Sequence, residues 1–170
     1  VIDSYISGNG YVGSVVGYNN GGSVINCYSK STVRSTAKDG QDIGGVVGYN
    51  STHGDVINCY NEGIVDVTSY KAFRVGGVVG NSEGTVENCY NKGTVYGKGT
   101  FLNVSNVGGV VGYNKGTVKN SHNESHIIGD EVVGGVVGCN YLTVENCYKT
   151  GDIDASISGA GGVAGYNNSG

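Results

Sequence analysis

The sequence predicts an all-β fold, a right-handed, three-sided parallel β-helix of about six coils. Two phrases recur in phase along the chain: Gly-Gly-Val-Val-Gly-Tyr and, after a polar turn, Val-x-Asn-Cys-Tyr. Repeats of this size are typical of solenoids, in which each repeat is one unit stacked on its neighbours. The 33 glycines and the absence of a 3.6-residue apolar stripe disfavour helices.

Each phrase occurs six times in related forms. The copies of the first are Gly13–Tyr18, Gly44–Tyr49, Gly76–Asn81, Gly108–Tyr113, Gly134–Cys139 and Gly161–Tyr166. The copies of the second are Val1–Tyr5, Val24–Tyr28, Val56–Tyr60, Val86–Tyr90, Val118–His122 and Val144–Tyr148. We therefore expect a single β-solenoid domain over residues 1–170 without capping elements, with repeats at 1–23, 24–55, 56–85, 86–117, 118–143 and 144–170.

The third repeat shows how one coil is built. Val56–Tyr60 is β-branched and aromatic and predicts a strand, residues 61–63 predict a turn, and residues 64–68 predict a second short strand. Residues 69–74 are predicted as a loop, and Gly76–Gly80 as the third strand. Because parallel crossovers are overwhelmingly right-handed, three strands and three corners describe one turn of a right-handed β-helix.

Variation in repeat length is confined to one place in each coil. Residues 32–42, 68–75 and 97–107 are the long versions, and residues 129–133 are a short one. Insertions of this kind map to loops on one edge or face of a solenoid, often the binding face. Loops are also where sequence drifts most freely, so the insertions need not bind a ligand.

Stacked coils place equivalent residues about 4.8 Å apart, in columns. One column contains Asp3, Asn26, Asn58, Asn88, Asn120 and Asn146. Asparagine is unfavourable in a strand unless its amide bonds to the backbone or to the amides above and below. We interpret this column as a structural ladder at a corner.

The next column contains Ser4, Cys27, Cys59, Cys89, Ser121 and Cys147. A disulfide between neighbouring coils is sterically conceivable at this spacing. Serine at two of the positions favours free core thiols instead. The fifth thiol, Cys139, stands where other repeats have tyrosine.

These phrases resemble the GLUG-motif repeat, whose Gly-Leu-apolar-Gly core corresponds here to Gly-Val-Val-Gly. The resemblance covers the whole chain, with six matches in phase. Such repeats occur in bacterial secreted and surface-attached proteins, including adhesin-like proteins and non-catalytic regions of immunoglobulin A metalloproteases. The resemblance implies an extracellular or cell-surface bacterial protein, with no catalytic residue to transfer and no ligand named.

Composition argues against several classes of partner. The net charge is −4 and only ten basic residues are scattered along the chain, which disfavours nucleic acid. No apolar run reaches the roughly 18 residues that would span a bilayer, so no membrane insertion is expected. We expect a non-enzymatic protein without catalytic or metal-binding residues and without a cofactor.

The cluster most similar to a metal site is His122-Asn123-Glu124-Ser125-His126. Zinc-binding histidines four residues apart share one face of a helix, whereas on a strand they would lie about 13 Å apart. The acidic residues are scattered singly, and Asp152 and Asp154 are the one pair that could share a strand face. The pattern therefore lacks the paired carboxylates of a glycosidase site.

The remaining candidates for binding are tyrosines in two columns. The first contains Tyr5, Tyr28, Tyr60, Tyr90 and Tyr148, with His122 in the fifth repeat, and the second contains Tyr18, Tyr49, Tyr113 and Tyr166. The first column is a candidate platform for a glycan or a host surface protein. Because both columns recur with the repeat, ring stacking that stabilises the coils is the simpler interpretation.

Two functions follow from the sequence. The first is an extracellular structural or adhesive module, acting as a spacer or a filament-forming subunit. The alternative is a carbohydrate-binding or carbohydrate-degrading β-helix. The chain begins and ends in nearly the same phase of the repeat, so it is either a segment of a longer array or a subunit that associates head to tail.

Overall fold

The computed structural model describes residues 1–35, 39–69, 71–99 and 105–168. In these ranges the chain is an all-β parallel solenoid with three sheets, so the predicted fold class is confirmed. It forms about five turns, whereas six repeats were counted in the sequence. The difference arises in the first repeat, which contributes no strand to the five-stranded sheet.

Two sides of the solenoid are regular sheets. The Gly-Tyr face has six strands, Val16–Asn19, Val47–Asn50, Val79–Ser82, Val111–Asn114, Val137–Asn140 and Ala164–Asn167. The short face has five strands, Ser23–Ile25, Asp55–Ile57, Thr85–Glu87, Thr117–Lys119 and Thr143–Glu145. Each strand pairs in parallel with its equivalent in the next coil, so the repeat period becomes the stacking period.

The third side is a 14-stranded sheet, the long face. Its first band consists of Ile2–Ser7, Tyr28–Ser35, Tyr60–Asn61, Val65–Ser69, Tyr90–Asn91, Val95–Gly99, His122–Asn123, Ile127–Gly134, Tyr148–Lys149 and Ile153–Gly161. Its second band consists of Tyr11–Gly13, Asp39–Gly44, Lys71–Gly76 and Ser105–Gly108.

The loop predicted over residues 69–74 is wrong for most of its length. Lys71–Gly76 is a strand that pairs in parallel with Asp39–Gly44. Pairing of this kind satisfies backbone groups that a loop would leave to water. Residues 36–38, 70 and 100–104 of the predicted loops lie outside the described residues.

The interior is filled by valines from all three sides. Val56, Val86 and Val118 are fully buried on the short face, and Cys59 and Cys89 are buried beside them. Val144 is partly buried and packs against the same cluster. All six of these side chains therefore point into the interior.

A glycine pair forms the corner between the long face and the Gly-Tyr face. A Cβ atom on Gly76 would overlap the carbonyl oxygen of Val79, and one on Gly77 would overlap the carbonyl oxygen of Gly109. Both overlaps involve backbone, which cannot move aside without breaking the ladder. Close backbone approach therefore explains why the phrase begins with glycine.

The asparagine column forms the corner between the short face and the long face. Asn26, Asn58, Asn88, Asn120 and Asn146 all have positive φ, between 50° and 56°. Their amides also form a ladder, in which Asn58 donates to Asn26 at 3.1 Å and Asn88 donates to Asn58 at 3.2 Å. Asparagine suits the position because it tolerates left-handed backbone and bonds to the next coil. The predicted corner ladder is confirmed.

Candidate functional site

The first tyrosine column is a continuous stack of rings over the second to sixth repeats. Ring centroids lie 4.9 Å apart for Tyr28 and Tyr60, and 4.7 Å apart for Tyr60 and Tyr90. His122 occupies the next position, 5.3 Å from Tyr90 and 4.8 Å from Tyr148. The interplanar angles do not exceed 15°, so each ring within the stack covers the faces of its neighbours.

Tyr5 is not a member of this column, and its predicted place there is wrong. Its register partner is Thr32, four residues beyond Tyr28. The shift follows from the backbone of Val1, whose carbonyl accepts a hydrogen bond from Lys30 N at 2.8 Å. A register irregularity between Ile2 and Tyr5 then carries the strand along the long face.

Stacking limits what the first column can bind. Sugars and aromatic ligands usually bind against an open ring face, and the faces of Tyr60 and Tyr90 are covered on both sides by neighbouring rings. What remains accessible is the ring edge and the hydroxyl group. Tyr148, which is 54% exposed, is the last ring described in the stack. The geometry therefore favours the stabilising interpretation of this column.

The second column is interrupted, and the chain fills its gaps in two different ways. Tyr18 and Tyr49 stack at 5.0 Å with an interplanar angle of 7°. In the fifth coil Cys139 takes the tyrosine position, and Tyr141 places its ring 5.4 Å from Tyr113. An aromatic side chain two residues along the chain therefore supplies the ring contact, with an interplanar angle of 46°.

In the third coil the tyrosine position is taken by Asn81, between Tyr49 and Tyr113 in register. Here the substitute is a cation: the guanidinium of Arg74 lies 5.3 Å from the ring centroid of Tyr113. Arg74 is anchored by Asp42, with 3.0 Å between Nη1 and Oδ1. This arrangement leaves Asn81 only 2% exposed and Asp42 only 1% exposed.

The carboxyl group of Asp42 is almost completely buried, and this burial changes its pKa. Burial raises the pKa of Asp42, against the opposing effects of the Arg74 charge and a hydrogen bond from Asn81. A raised pKa is what a general acid would need. However, the carboxyl group is covered, and a substrate could not reach it. We therefore read the cluster as structural.

Tyr49 has a strongly shifted titration. Burial, followed by a hydrogen bond with Glu83, raises the pKa of Tyr49 to about 12. The hydroxyl therefore stays protonated and can donate to the Glu83 carboxylate over the physiological range. This contact links the second and third coils at their outer surface.

Charged residues alternate in sign beside the first tyrosine column. The row is Lys30, Glu62, Lys92 and Glu124, one residue from each of four successive coils. Lys30 and Glu62 are paired at 2.8 Å, and Lys92 and Glu124 at 3.5 Å. All four side chains are exposed, so each pair contributes little energy by itself. The alternation nevertheless favours stacking in register.

The histidine cluster does not form a metal site in the structure. His122 contacts Glu124 at 3.1 Å, whereas His126 contacts Asp154 of the next coil at 2.9 Å. Among the described residues, no group of three or more histidine, cysteine or acidic side chains could hold a metal ion. Asp154 is thus engaged by His126.

The five cysteines are free thiols in the structure. Cys59 and Cys89 each donate to a valine carbonyl of the preceding coil at 3.4 Å. A hydrogen bond with Cys59 and burial raise the pKa of the Cys89 thiol. Burial likewise raises the pKa of the Cys147 thiol. The thiols of Cys89 and Cys147 therefore stay protonated, which makes them poor nucleophiles and poor metal ligands.

Two further amide ladders were not predicted from the sequence. Asn61, Asn91 and Asn123 are fully buried and bonded in series, with 2.9 Å for each bond between coils. On the Gly-Tyr face, Asn114 donates to Asn140 at 2.7 Å. The signal was present, because asparagine directly follows five of the six copies of the first phrase and three of the six copies of the second.

The same repeats are detected by comparison with protein families. The model of the GLUG motif matches residues 8–34, 39–68 and 71–96. Residues 8–96 carry three GLUG-motif repeats. Residues 97–170 continue the same phrases and the same ladders, although the family model does not match there. Neither the curated proteins nor the solved structures include a match.

The GLUG repeats define a repeat-type structural fold, in which recurring residues make contacts between coils. The asparagines bond to asparagines, the tyrosines stack on tyrosines, and the valines fill the interior. None of the described residues belongs to a helix long and apolar enough to cross a membrane.

Proposed function

We propose that these GLUG repeats form a non-enzymatic structural module on the bacterial cell surface, acting as a rigid spacer or filament segment. The observation that carries this proposal is the direction of the recurring side chains. In the first column the ring faces of Tyr60 and Tyr90 are covered by their neighbours, and Asn91 is buried in its own ladder. The recurring side chains thus contact neighbouring coils and do not form an open binding surface.

The spacer role has a direct mechanical test. Two extra copies of residues 24–85, a two-coil unit that keeps Lys30 beside Glu62 and Arg74 beside Asp42, would be inserted in tandem. The length of the particle would be measured by small-angle X-ray scattering or electron microscopy. A rigid spacer should lengthen by about 19 Å, from four coils of about 4.8 Å each. A matched protein with Gly-Ser sequences of equal length in place of the two copies is the control. An unchanged or irregular length would contradict the proposal.

The alternative, carbohydrate binding or cleavage, can be tested on the same protein. A glycan array and an assay on pooled polysaccharides should show neither binding nor cleavage. Tyr60→Ala and Tyr113→Ala would serve as matched variants of the two columns. Binding that is lost in one variant while its melting temperature is retained would support the alternative and identify the column responsible.

Surface location is a separate part of the proposal, supported by the family resemblance. Antibodies against the repeats should label intact cells of the source bacterium, and external protease should remove the label. Labelling that requires permeabilised cells would contradict an extracellular role. This experiment does not depend on whether the repeats bind a glycan.

Axial self-association is the last part of the proposal. Val1 and Ile2 are exposed at one end of the stack, and Leu142 and Val163 are exposed at the other. A second copy placed on either end would cover this apolar surface and extend the ladders. Light scattering should show growth with concentration, and Val163→Lys should reduce it. A strictly monomeric species up to millimolar concentration would favour a segment of a longer array instead.

A further inference from the structure

Three free cysteines lie in line on successive coils, and we call them the thiol column. They are Cys27, Cys59 and Cys89. The backbone sets this alignment, because the amide of Tyr60 donates to the carbonyl of Cys27 and the amide of Tyr90 donates to the carbonyl of Cys59, each at 3.1 Å. Equivalent atoms of neighbouring members are therefore about one coil spacing apart, about 4.8 Å.

The thiol column opens to solvent at Cys27. Cys59 is fully buried, whereas Cys27 is half-buried and lines a cavity of about 260 Å³. The sequence predicted Ser4 beneath Cys27, and this position is wrong, because the backbone N–H of Ser4 donates to Oγ of Ser31 at 3.2 Å. A small ion can therefore enter the cavity and reach the Cys27 thiol, with the Cys59 thiol directly behind it.

Two neighbouring thiols suit the coordination of a soft monovalent cation. Thiolates are the protein ligands that select Cu(I), and such an ion binds two of them in a line. With metal–sulfur bonds of about 2.3 Å, the length found in zinc thiolates, the two sulfur atoms would lie about 4.6 Å apart, close to the coil spacing. The thiols of Cys27 and Cys59 already hydrogen-bond to each other, so the pair is close to the required geometry.

The surroundings of the pair disfavour zinc. Structural zinc takes four nitrogen or sulfur ligands, and the core around the two thiols is formed by valines, including Val24 and Val56. Within the described ranges, no group of three or more histidine, cysteine or acidic side chains is arranged to hold a metal ion. The pair therefore suits a cation for which two ligands are sufficient.

We propose that Cys27 and Cys59 form a binding site for one soft monovalent cation, Cu(I) or Ag(I). The ion replaces the two thiol protons, which pass to solvent, and each sulfur forms one bond to the metal without electron transfer. The single negative charge that remains lies at the half-exposed end of the thiol column. Cys89 lies on the far side of Cys59 and is not a ligand.

Serine is a suitable replacement in the variants, because the chain already uses it in line with the thiol column. Ser121 follows Cys89 in this line, and its hydroxyl donates to the carbonyl two residues earlier at 2.8 Å. Cys27 and Cys59 each donate to the equivalent carbonyl at 3.3 Å. Cys27→Ser and Cys59→Ser should therefore fold, and their melting temperatures check this.

The two remaining cysteines provide matched controls. Cys139 has tyrosines as its register partners on both sides. Cys147 has a serine as its neighbour in the preceding coil. Neither has an adjacent thiol with which to share a cation, so Cys139→Ser and Cys147→Ser should leave the site intact.

The probe is silver nitrate in chloride-free buffer, titrated into the full chain by calorimetry, with native mass spectrometry to count bound ions. One Ag(I) should bind tightly to each chain. Cys27→Ser or Cys59→Ser should weaken this binding at least about 100-fold. Cys139→Ser and Cys147→Ser should bind as the unaltered protein does, and Zn(II) should not compete.

Several outcomes would overturn the proposal. One is binding to the unaltered protein that is no tighter than binding to the double variant C27S/C59S. Another is an equal loss in Cys139→Ser or Cys147→Ser, which would indicate thiols that act singly. A loss in Cys89→Ser as large as that in Cys59→Ser, with Cys27→Ser unaffected, would place the ion deeper in the thiol column and contradict the assigned pair.

Discussion

The Nη1 atom of Arg74 lies 3.0 Å from Oδ1 of Asp42, which is its register partner in the preceding coil. This ion pair is placed between Tyr49 and Tyr113, where the third repeat lacks a tyrosine. A charged pair thus replaces a ring, at the cost of burying a carboxylate.

Removing the charge of Arg74 and removing the charge of Asp42 should affect the stability of the protein unequally. Arg74→Ala should destabilise the protein by about 3 kcal/mol, because it leaves Asp42 buried without its counter-charge. Asp42→Asn should change stability by less than about 1 kcal/mol, because it removes the buried charge and leaves Arg74 access to water. Urea denaturation of both variants measures the difference. Equal losses would show that Asp42 does not carry a burial penalty.

The same carboxyl group predicts a pH dependence. Because its pKa is raised in the folded state, protonation favours folding. This contribution is fully present below the ordinary aspartate pKa of about 3.9 and is lost as the pH rises through the raised pKa. Relative to Asp42→Asn, the unaltered protein should therefore become less stable from about pH 3 to about pH 7. A constant difference would contradict the raised pKa.

Tyr49 should titrate at a higher pH than tyrosine ordinarily does, because its pKa is raised to about 12. Its pKa of about 12 means that the neutral form is favoured in the folded chain, and this stability is lost as the pH rises from about 10 to about 12. An alkaline absorbance titration should show a late step that is absent in Tyr49→Phe and earlier in Glu83→Gln. A late step that persists in Tyr49→Phe would assign it elsewhere.

Asn88 adopts the left-handed backbone of the corner and also donates an amide hydrogen bond to Asn58, and substitutions can separate these two contributions. Asn88→Gly keeps the left-handed corner and loses the amide bond to Asn58, whereas Asn88→Ala also strains the backbone. Stability should fall in the order asparagine, glycine, alanine, with about 1 kcal/mol between the last two. Chemical denaturation checks the order. Equal stability of the two variants would mean that φ is not the constraint.

A charged side chain introduced among the core valines should strongly destabilise the coils around it. Val86→Asp should unfold the surrounding coils, because a buried carboxylate has no partner there. Thr117→Asp is the matched control, since Thr117 lies on the next strand of the short face and is not fully buried. Circular dichroism during heating distinguishes them. If Val86→Asp melts like the control, the assigned inward direction is incorrect.

The cysteines are predicted to remain reduced. Alkylation without reductant, performed on the unfolded chain, should label five thiols by mass spectrometry. Disulfide-linked peptides in the digest would contradict this prediction. Reduced and alkylated protein is the reference for complete labelling.

Much of this fold could be predicted because the repeat places each residue type in the same environment five or six times. The valines and Asn88 behave as their periodicity indicated. The position of Tyr5 could not be predicted, because the backbone bonds of Val1 set its register and a phrase match contains no such information. The substitution of a ring by Arg74 depends on Lys71–Gly76, a strand that the sequence presented as a loop.

The coils of this molecule touch mainly their immediate neighbours, and the corner ladder from Asn58 to Asn88 illustrates the rule. A genetic duplication or deletion of one whole repeat would therefore preserve the types of contact that recur in every coil. Most folds lose their core when thirty residues are removed, but this one would only become shorter. Length is consequently a trait that evolution can adjust in discrete steps, independently of stability per coil.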